Sequence, residues 1–333
     1  MLGVALVGCG GVGRNHLAAL GRCPGARLVA AVDVVPDVAR EAAHQTGARW
    51  TTDIDEMLRW PEVHAVDLCT PNWTHADLAV AAARAGKHLL LEKPLATTVA
   101  DADRILAACR DHGVTLMVAH THRFYDYARA IRVALDEGMI GRPTYLRIMA
   151  GGGFWASDWR AWQLDARRSG GHVLHNGVHL MDLANHLLGA VPVWVYAQGL
   201  KQTSSHLDIF DYFHVVIGYS GGATAACEMS RSAIPRGLGY RALLLLGDRG
   251  ELVLDWDGEQ QVILTEHGME RFGGSGQDGF DRVVTAWVDA IQDGAPPPVT
   301  GEAGRLAVVM SVAAERSLAT GQVVRLAEVD GRG

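Results

Sequence analysis

The stretch Val4-Ala-Leu-Val-Gly-Cys-Gly-Gly-Val-Gly-Arg-Asn-His16 constrains the fold more than any other part of the chain. Small apolar residues run into Gly8, Gly10 and Gly13 and then into helix-forming residues, which predicts a strand, a tight turn and a helix. At GxGxxG spacing the first glycine lets the chain turn, the second admits a pyrophosphate to the backbone, and the third lets helix pack on strand. The free N–H groups at the helix start then face an anion. Arg27-Leu-Val-Ala-Ala-Val-Asp33 reads as the next strand and closes on an acid twenty residues beyond Gly13. A carboxylate there accepts hydrogen bonds from the ribose hydroxyls of NAD and repels a 2'-phosphate. Val34, Val35 and Pro36 follow without a basic residue, so NAD is favoured over NADP unless Arg14 or Arg40 folds back.

The rest of the first third alternates in the same way. Pro36 to Thr46 predicts a helix with proline at its start and Gly47 after its end, followed by a strand at Ala48–Trp50 and a helix capped by Asp53. Val63 to Cys69 is a short apolar run delivering Thr70-Pro71-Asn72 to a sheet's carboxyl edge, where doubly wound sheets bind ligands. Helix Ala76–Ala85, strand His88–Leu91, helix Val99–His112 and strand Thr115–Ala119 complete a parallel α/β sheet. Lys93 leaves that sheet at a strand end, in Glu92-Lys93-Pro94.

Near His120 the alternation stops. After one helix at Asp126–Glu137, strand-like runs crowd together at Thr144–Met149, Val193–Ala197, Phe213–Gly218, Thr224–Met229, Leu243–Leu246 and Gln261–Leu264. Glycine-containing turns separate several of them, which predicts a second, mostly antiparallel open sheet. Helices at Gly279–Ile291 and Gly304–Thr320 close the chain.

A length of 333 residues accommodates two domains with full cores. The net charge is −7 and the basic residues are scattered, which argues against nucleic acid or a membrane as partner and for a small molecule. The five cysteines form no CxxC pair, so neither a disulfide framework nor a cysteine zinc site is expected. A reducing cytoplasm suits them. The apolar start has no basic leader and reads as a strand, not a signal peptide, and no apolar run reaches membrane-spanning length.

The ordered series Gly8–Gly13, Thr70-Pro71-Asn72, Glu92-Lys93-Pro94, Gly170-Gly171 and Gly177-Val178-His179 resembles the glucose-fructose oxidoreductase / inositol dehydrogenase family, Gfo/Idh/MocA, over nearly the whole length. The resemblance implies an NAD-binding Rossmann domain at 1–121. It implies a substrate-binding and oligomerisation α/β domain at 122–333, with the last helices able to pack back on the first domain. It further implies an NAD(P)-dependent dehydrogenase of sugars, sugar acids or cyclitols, a homodimer or homotetramer built through the open sheet, and a cis Lys93–Pro94 bond. The cofactor would be held by Gly8, Gly10, Gly11, Val12, Gly13, Asp33, Thr70, Pro71, Asn72, His75, Glu92 and Lys93.

Oxidising a secondary alcohol needs a cation for the developing alkoxide and a base for its proton. Lys93 supplies the cation. His179 occupies the place of the family's acid/base histidine, and its near-neutral ordinary pKa suits the role. His175 stands where the family has an aspartate, and an imidazole there cannot raise its neighbour's pKa as a carboxylate does. His122, Arg123, Trp162 and Asn176 join Lys93 and His179 as substrate contacts. Trp155 and Trp159 offer further faces for a sugar ring, and Arg160, Arg167 and Arg168 offer grips for a carboxylate.

No metal is expected. Positions 175, 179, 182 and 186 are His, His, Asp and His along one helix face, and His175 and His179 would be the ligands if an ion bound. Two other readings remain open at this point. One is an enzyme that oxidises its substrate transiently on held NAD, eliminating or hydrolysing a substituent without net NADH. The other is a non-catalytic dinucleotide-binding protein.

Overall fold

Four mostly apolar segments become the inner strands of a parallel sheet because both faces of such a sheet are covered by helices. A computed structural model describes residues 1–151, 159–231, 240–255, 261–265, 268–272 and 279–332, so Trp155 lies outside the described residues. The chain divides into two compact units, 1–124 with 277–305, and 125–276 with 306–333.

The first unit contains β1 (Leu2–Val7), α1 (Gly13–Arg22), β2 (Ala26–Val32), α2 (Pro36–Thr46), β3 (Arg49–Thr51), α3 (Ile54–Leu58), β4 (Ala65–Leu68), α4 (His75–Arg84), β5 (His88–Glu92), α5 (Val99–Asp111) and β6 (Leu116–Ala119). Its strand order is β3-β2-β1-β4-β5-β6, all parallel, which is a Rossmann sheet with its switch point between β1 and β4. Local signals set the helix ends. Asp53 accepts the N–H groups of Asp55 and Glu56, Thr98 accepts that of Asp101, and Gly47 ends α2 in the left-handed conformation.

The second unit contains α6 (Asp126–Asp136), β7 (Pro143–Gly151), α7 (Ala166–Ser169), α8 (Val178–Leu188), β8 (Pro192–Leu200), β9 (Tyr212–Tyr219), β10 (Thr224–Ser230), β11 (Tyr240–Gly247), β12 (Gly250–Asp255), β13 (Gln261–Thr265) and β14 (Gly268–Phe272). Late in the chain come α9 (Gly279–Asp293) in the first unit, then α10 (Gly301–Thr320), β15 (Val324–Arg325) and α11 (Ala327–Asp330). The nine strands run β14-β13-β12-β11-β7-β10-β9-β8-β15, antiparallel except where β7 meets β10. Sequence reading missed β12, β14 and β15. It also started α10 three residues late.

The return of 277–305 to the first unit differs from a division at residue 121, and packing explains it. Arg22 grips Asp281 through paired hydrogen bonds, Phe280 stands edge-on to the His16 ring at 5.3 Å, and Arg282 donates to the Phe124 carbonyl at 2.7 Å. Gln292 donates to the Gly25 carbonyl, and Trp287 is fully buried. Arg305 holds Asp103 at 2.7 Å.

In the second unit, Gly170 and Gly171 turn with φ of +83° and +94° into a helical segment. The positive φ of Gly171 is one that other residues rarely adopt, and its missing β-carbon leaves room for the Glu315 carboxylate of α10. Glu315 accepts the Val173 N–H at 2.8 Å and so holds the start of the segment that carries His175 and His179. Burial raises the Glu315 pKa to about 7 against the opposing effect of the Val173 and Leu174 N–H groups. A raised carboxyl favours the fold at low pH, and that contribution fades as pH climbs from the ordinary glutamate range through 7. Wild type should therefore lose on the order of 2 kcal/mol more than Glu315→Gln between about pH 5 and pH 8. Thermal melts of both proteins across that range check this, and parallel pH profiles would contradict it.

Candidate active site

Three stretches of backbone meet at the mouth of the first unit's sheet. Gly8 has φ of +88°, and a β-carbon there would lie 2.6 Å from the Cys69 carbonyl oxygen. A β-carbon on Gly13 would collide with the Gly8 carbonyl. Only glycine allows β1, the start of α1 and the end of β4 to approach so closely. Gly10, Gly11 and Val12 complete the turn, with Gly10 accepting the Arg14 N–H at 3.0 Å. Asp33 closes it, because its carboxylate accepts the N–H groups of Cys9 and Val35, both at 2.9 Å. Each oxygen keeps a lone pair for a further donor. Arg40 is engaged elsewhere, with Asp37 at 2.8 Å and over the Trp50 ring at 5.0 Å, and does not fold back. A cradle that side chains would fill, edged by an acid, fits a dinucleotide with free ribose hydroxyls.

The loop after β4 carries Thr70, Pro71 and the buried Asn72, and Thr74 Oγ1 donates to the Pro71 carbonyl at 2.7 Å. His75 lies wholly inside, with Nδ1 2.8 Å from the Pro94 carbonyl and Nε2 2.9 Å from that of Thr70. Burial pushes its pKa down, so it is neutral. It ties the loop after β4 to the loop after β5. The buried Glu92 accepts the Lys93 N–H at 3.1 Å, and its other oxygen lies 3.2 Å from His16 Nε2. His75 and Glu92, expected against the cofactor, also brace these loops from behind. Lys93 itself is half-buried and precedes a cis bond to Pro94. His122 and Arg123 are half-buried in a 3₁₀ turn, Thr121–Phe124, directly after β6.

In the second unit, Val173–Gly177 is a π-helical turn that leads into α8. His175 and Asn176 lie on this turn and His179 in the first turn of α8. One regular helix face therefore does not hold all of 175, 179, 182 and 186. Such π turns recur at functional sites. His175 is buried, and the Trp162 ring stands edge-on to it at 5.1 Å and 80°. Trp162, Asn176 and His179 are half-buried. Trp159 and Arg160 open the 3₁₀ turn Trp159–Leu164. Arg167 and Arg168 flank Asp165 at 3.5 and 3.7 Å with exposed side chains, an arrangement of surface ion pairs.

Sequence reading missed His16 and Asp67. His16 is fully buried in α1, with Nδ1 2.9 Å from the carboxylate of the equally buried Asp67. The signal was an acid inside an apolar strand, Ala65-Val-Asp-Leu68, which must find a partner. Among the described residues, the one set of three potential ligand groups within 4.8 Å of one another is His16, Asp67 and Cys69, not the histidines of the π turn and α8. Among the same residues, no helix is long and apolar enough to cross a membrane. All five cysteines are free.

Comparison with known proteins agrees with this architecture. Residues 2–120 match the Gfo/Idh/MocA model described as "Oxidoreductase family, NAD-binding Rossmann fold", and residues 132–326 match its C-terminal alpha/beta domain. The chain is 30% identical to the myo-inositol 2-dehydrogenase of Thermotoga maritima, covering 98% of this chain and 99% of that protein. It is also 30% identical to the inositol 2-dehydrogenase of Rhizobium meliloti, over 97% and 98% of the two chains. The crystal structure of GenD2 from gentamicin A biosynthesis, in complex with NAD, superposes with a TM-score of 0.85 at 28% identity, covering 97% of this chain and 96% of that one. With both domains matched in order around a cradle shaped for a dinucleotide, the chain belongs to the Gfo/Idh/MocA oxidoreductase family and is an NAD-dependent dehydrogenase.

Proposed function

We propose that the enzyme oxidises a secondary hydroxyl of a cyclitol, sugar or sugar acid, or reduces the matching ketone, with Lys93 at the oxygen and His179 moving its proton. The observation that carries this reading is the place of Lys93, delivered by β5 to the ligand edge of the sheet on a loop pinned by Glu92 and His75. Inositol is the substrate class favoured by the inositol dehydrogenases to which the chain is similar.

Gly8, Gly10, Gly11, Val12 and Gly13 cradle the pyrophosphate, Asp33 takes the ribose hydroxyls, and Thr70, Pro71 and Asn72 border the nicotinamide half. Bound NAD supplies the hydride acceptor. The Lys93 ammonium stabilises negative charge growing on the substrate oxygen, and His179 accepts the proton that leaves it. His175 shares the relay with His179, and Trp162 fixes the orientation of the His175 ring. His122, Arg123 and Asn176 contact the remaining hydroxyls. The second sheet's uncovered face offers Val253, 39% exposed, with half-buried Val216, Leu244 and Tyr196, and suits a second copy of the chain.

NADH formation across cyclitols, aldoses, uronates and deoxy sugars tests the reading. One responding class is expected, and tight NAD binding without NADH from any of them would move transient oxidation or a non-catalytic role ahead. Lys93→Met should lower kcat about 10²- to 10³-fold while NAD still binds, and full activity in that variant would remove Lys93 from its role. His179→Ala should lose about 10²- to 10⁴-fold. Asp33→Arg should turn preference toward NADP, and unchanged selectivity would show that Asp33 does not read the ribose.

A further inference from the structure

Behind the Lys93 turn lies a buried chain of charged groups that the proposed chemistry does not use. His16 has no exposed surface, and its two ring nitrogens face carboxylate oxygens on opposite sides, Asp67 Oδ2 at 2.9 Å and Glu92 Oε1 at 3.2 Å. A neutral imidazole carries one N–H and satisfies one such acceptor, whereas an imidazolium satisfies both. Glu92 then reaches the lysine directly, because its second oxygen accepts the Lys93 backbone N–H. Cys69 Sγ closes the other end at 3.5 Å from Asp67 Oδ1.

We propose that His16 is a positioning residue for Lys93: its imidazolium, clasped between Asp67 and Glu92, keeps Glu92 as the anion that fixes the backbone and the charge of the lysine-bearing turn. This rests on the reading of Lys93 as the cation at the reacting oxygen.

The surroundings agree. Burial is the largest single influence and works against a charge on His16, but the charges and hydrogen bonds of Asp67 and Cys69 together hold the ring well above its ordinary pKa. Burial would likewise raise Glu92, yet the hydrogen bond and charge of His16, and then the charge of Lys93, bring it below its ordinary value. The other groups around the cluster add no second cation. Cys69 is pushed far up by burial and by Asp67, so it stays a thiol, and Cys9 is pushed up to about 12. His75 of α4 is neutral, and α9 presents the edge of Phe280. With both imidazole nitrogens turned to carboxylates and the thiol protonated, the cluster is a hydrogen-bonded chain and not an ion site. One cation and two anions leave a net negative charge beside the Lys93 ammonium, which completes the balance.

Removing the imidazolium with His16→Gln leaves two buried carboxylates facing an amide, so one must take a proton. The proton is shared between Asp67 and Glu92, so Glu92 is no longer a full anion beside Lys93. The alkaline limb of the kcat–pH profile should move to lower pH by about one unit, with NAD affinity unchanged. The double variant His16→Gln/Asp67→Asn leaves a single anion at Glu92 and should restore the limb, which a packing role for His16 would not produce. Glu92→Gln should shift the limb as His16→Gln does. Independently of activity, ¹⁵N spectra of the wild-type NAD complex near pH 8 should show both His16 ring nitrogens protonated, with the signal assigned by its loss in His16→Gln. A neutral His16 ring, a folded His16→Gln with the wild-type limb, a double variant without recovery, or stoichiometric zinc lost on mutating His16 would each overturn the proposal. If His16→Gln does not fold, Glu92→Gln decides. Full activity in Lys93→Met would instead sink the role of Lys93 and leave the spectral result standing.

Discussion

The backbone contact of Gly13 with Gly8, and of Gly8 with Cys69, is the constraint on which the first unit depends. It brings β1, α1 and β4 together at the switch point with no side chain between them. Because α1 must start at Gly13 and lie flat on the sheet, the residue one turn onward, His16, is carried over β4 and β5. There it meets the acid at the centre of one strand and the acid at the end of the other. The same approach leaves the Cys9 N–H free to hold Asp33. A single steric requirement therefore sets the glycine cradle, the place of Asp33 beside it and the anchor beneath the Lys93 turn.

Three buried histidines show burial and partner chemistry competing over charge. His16 and His75 are equally inaccessible, and each has both ring nitrogens close to oxygen. The oxygens around His75 belong to carbonyls, which offer a partial dipole, and desolvation wins. Those around His16 belong to carboxylates, and a full opposite charge at hydrogen-bond distance reverses the balance. His172 carries one carbonyl contact and packs edge-on to Phe213 at 4.9 Å. Burial, with Arg231 adding to it, drives its pKa down to about 3. Neutral braces hold loops, and a charged one sets the potential around its neighbour.

Much of this was legible because the first unit obeys local rules. Helix α2 runs over the residues its proline and glycine predict, and Asp53 and Thr98 are caps. Gly8, Gly13 and Asp33 announce their roles by spacing alone. What stayed hidden depends on distant partners. Strands β14 and β15 are short, and pairing with neighbours in the sheet makes them strands. The π turn at Val173–Gly177 has no sequence signature of its own, and its start is held by Glu315, more than 130 residues away. His75 and Glu92 read as ligands because they flank the ligand loops, and their bracing contacts depend on residues that only the fold brings together. His16 looked like one more helix residue until Asp67 was found beneath it.

The return of α9 to the first unit has a consequence for biosynthesis. Trp287, one of the largest fully buried side chains, belongs to a segment that follows nearly the whole second sheet in the chain. On a ribosome the Rossmann strands emerge first, yet the surface they offer α9 stays open until the second unit has been made. That surface is the α1 side bearing Arg22 and His16, where Asp281 and Phe280 later dock. The nascent N-terminal half is thus an incomplete unit awaiting its last helix, and chaperone demand should concentrate in that interval of synthesis.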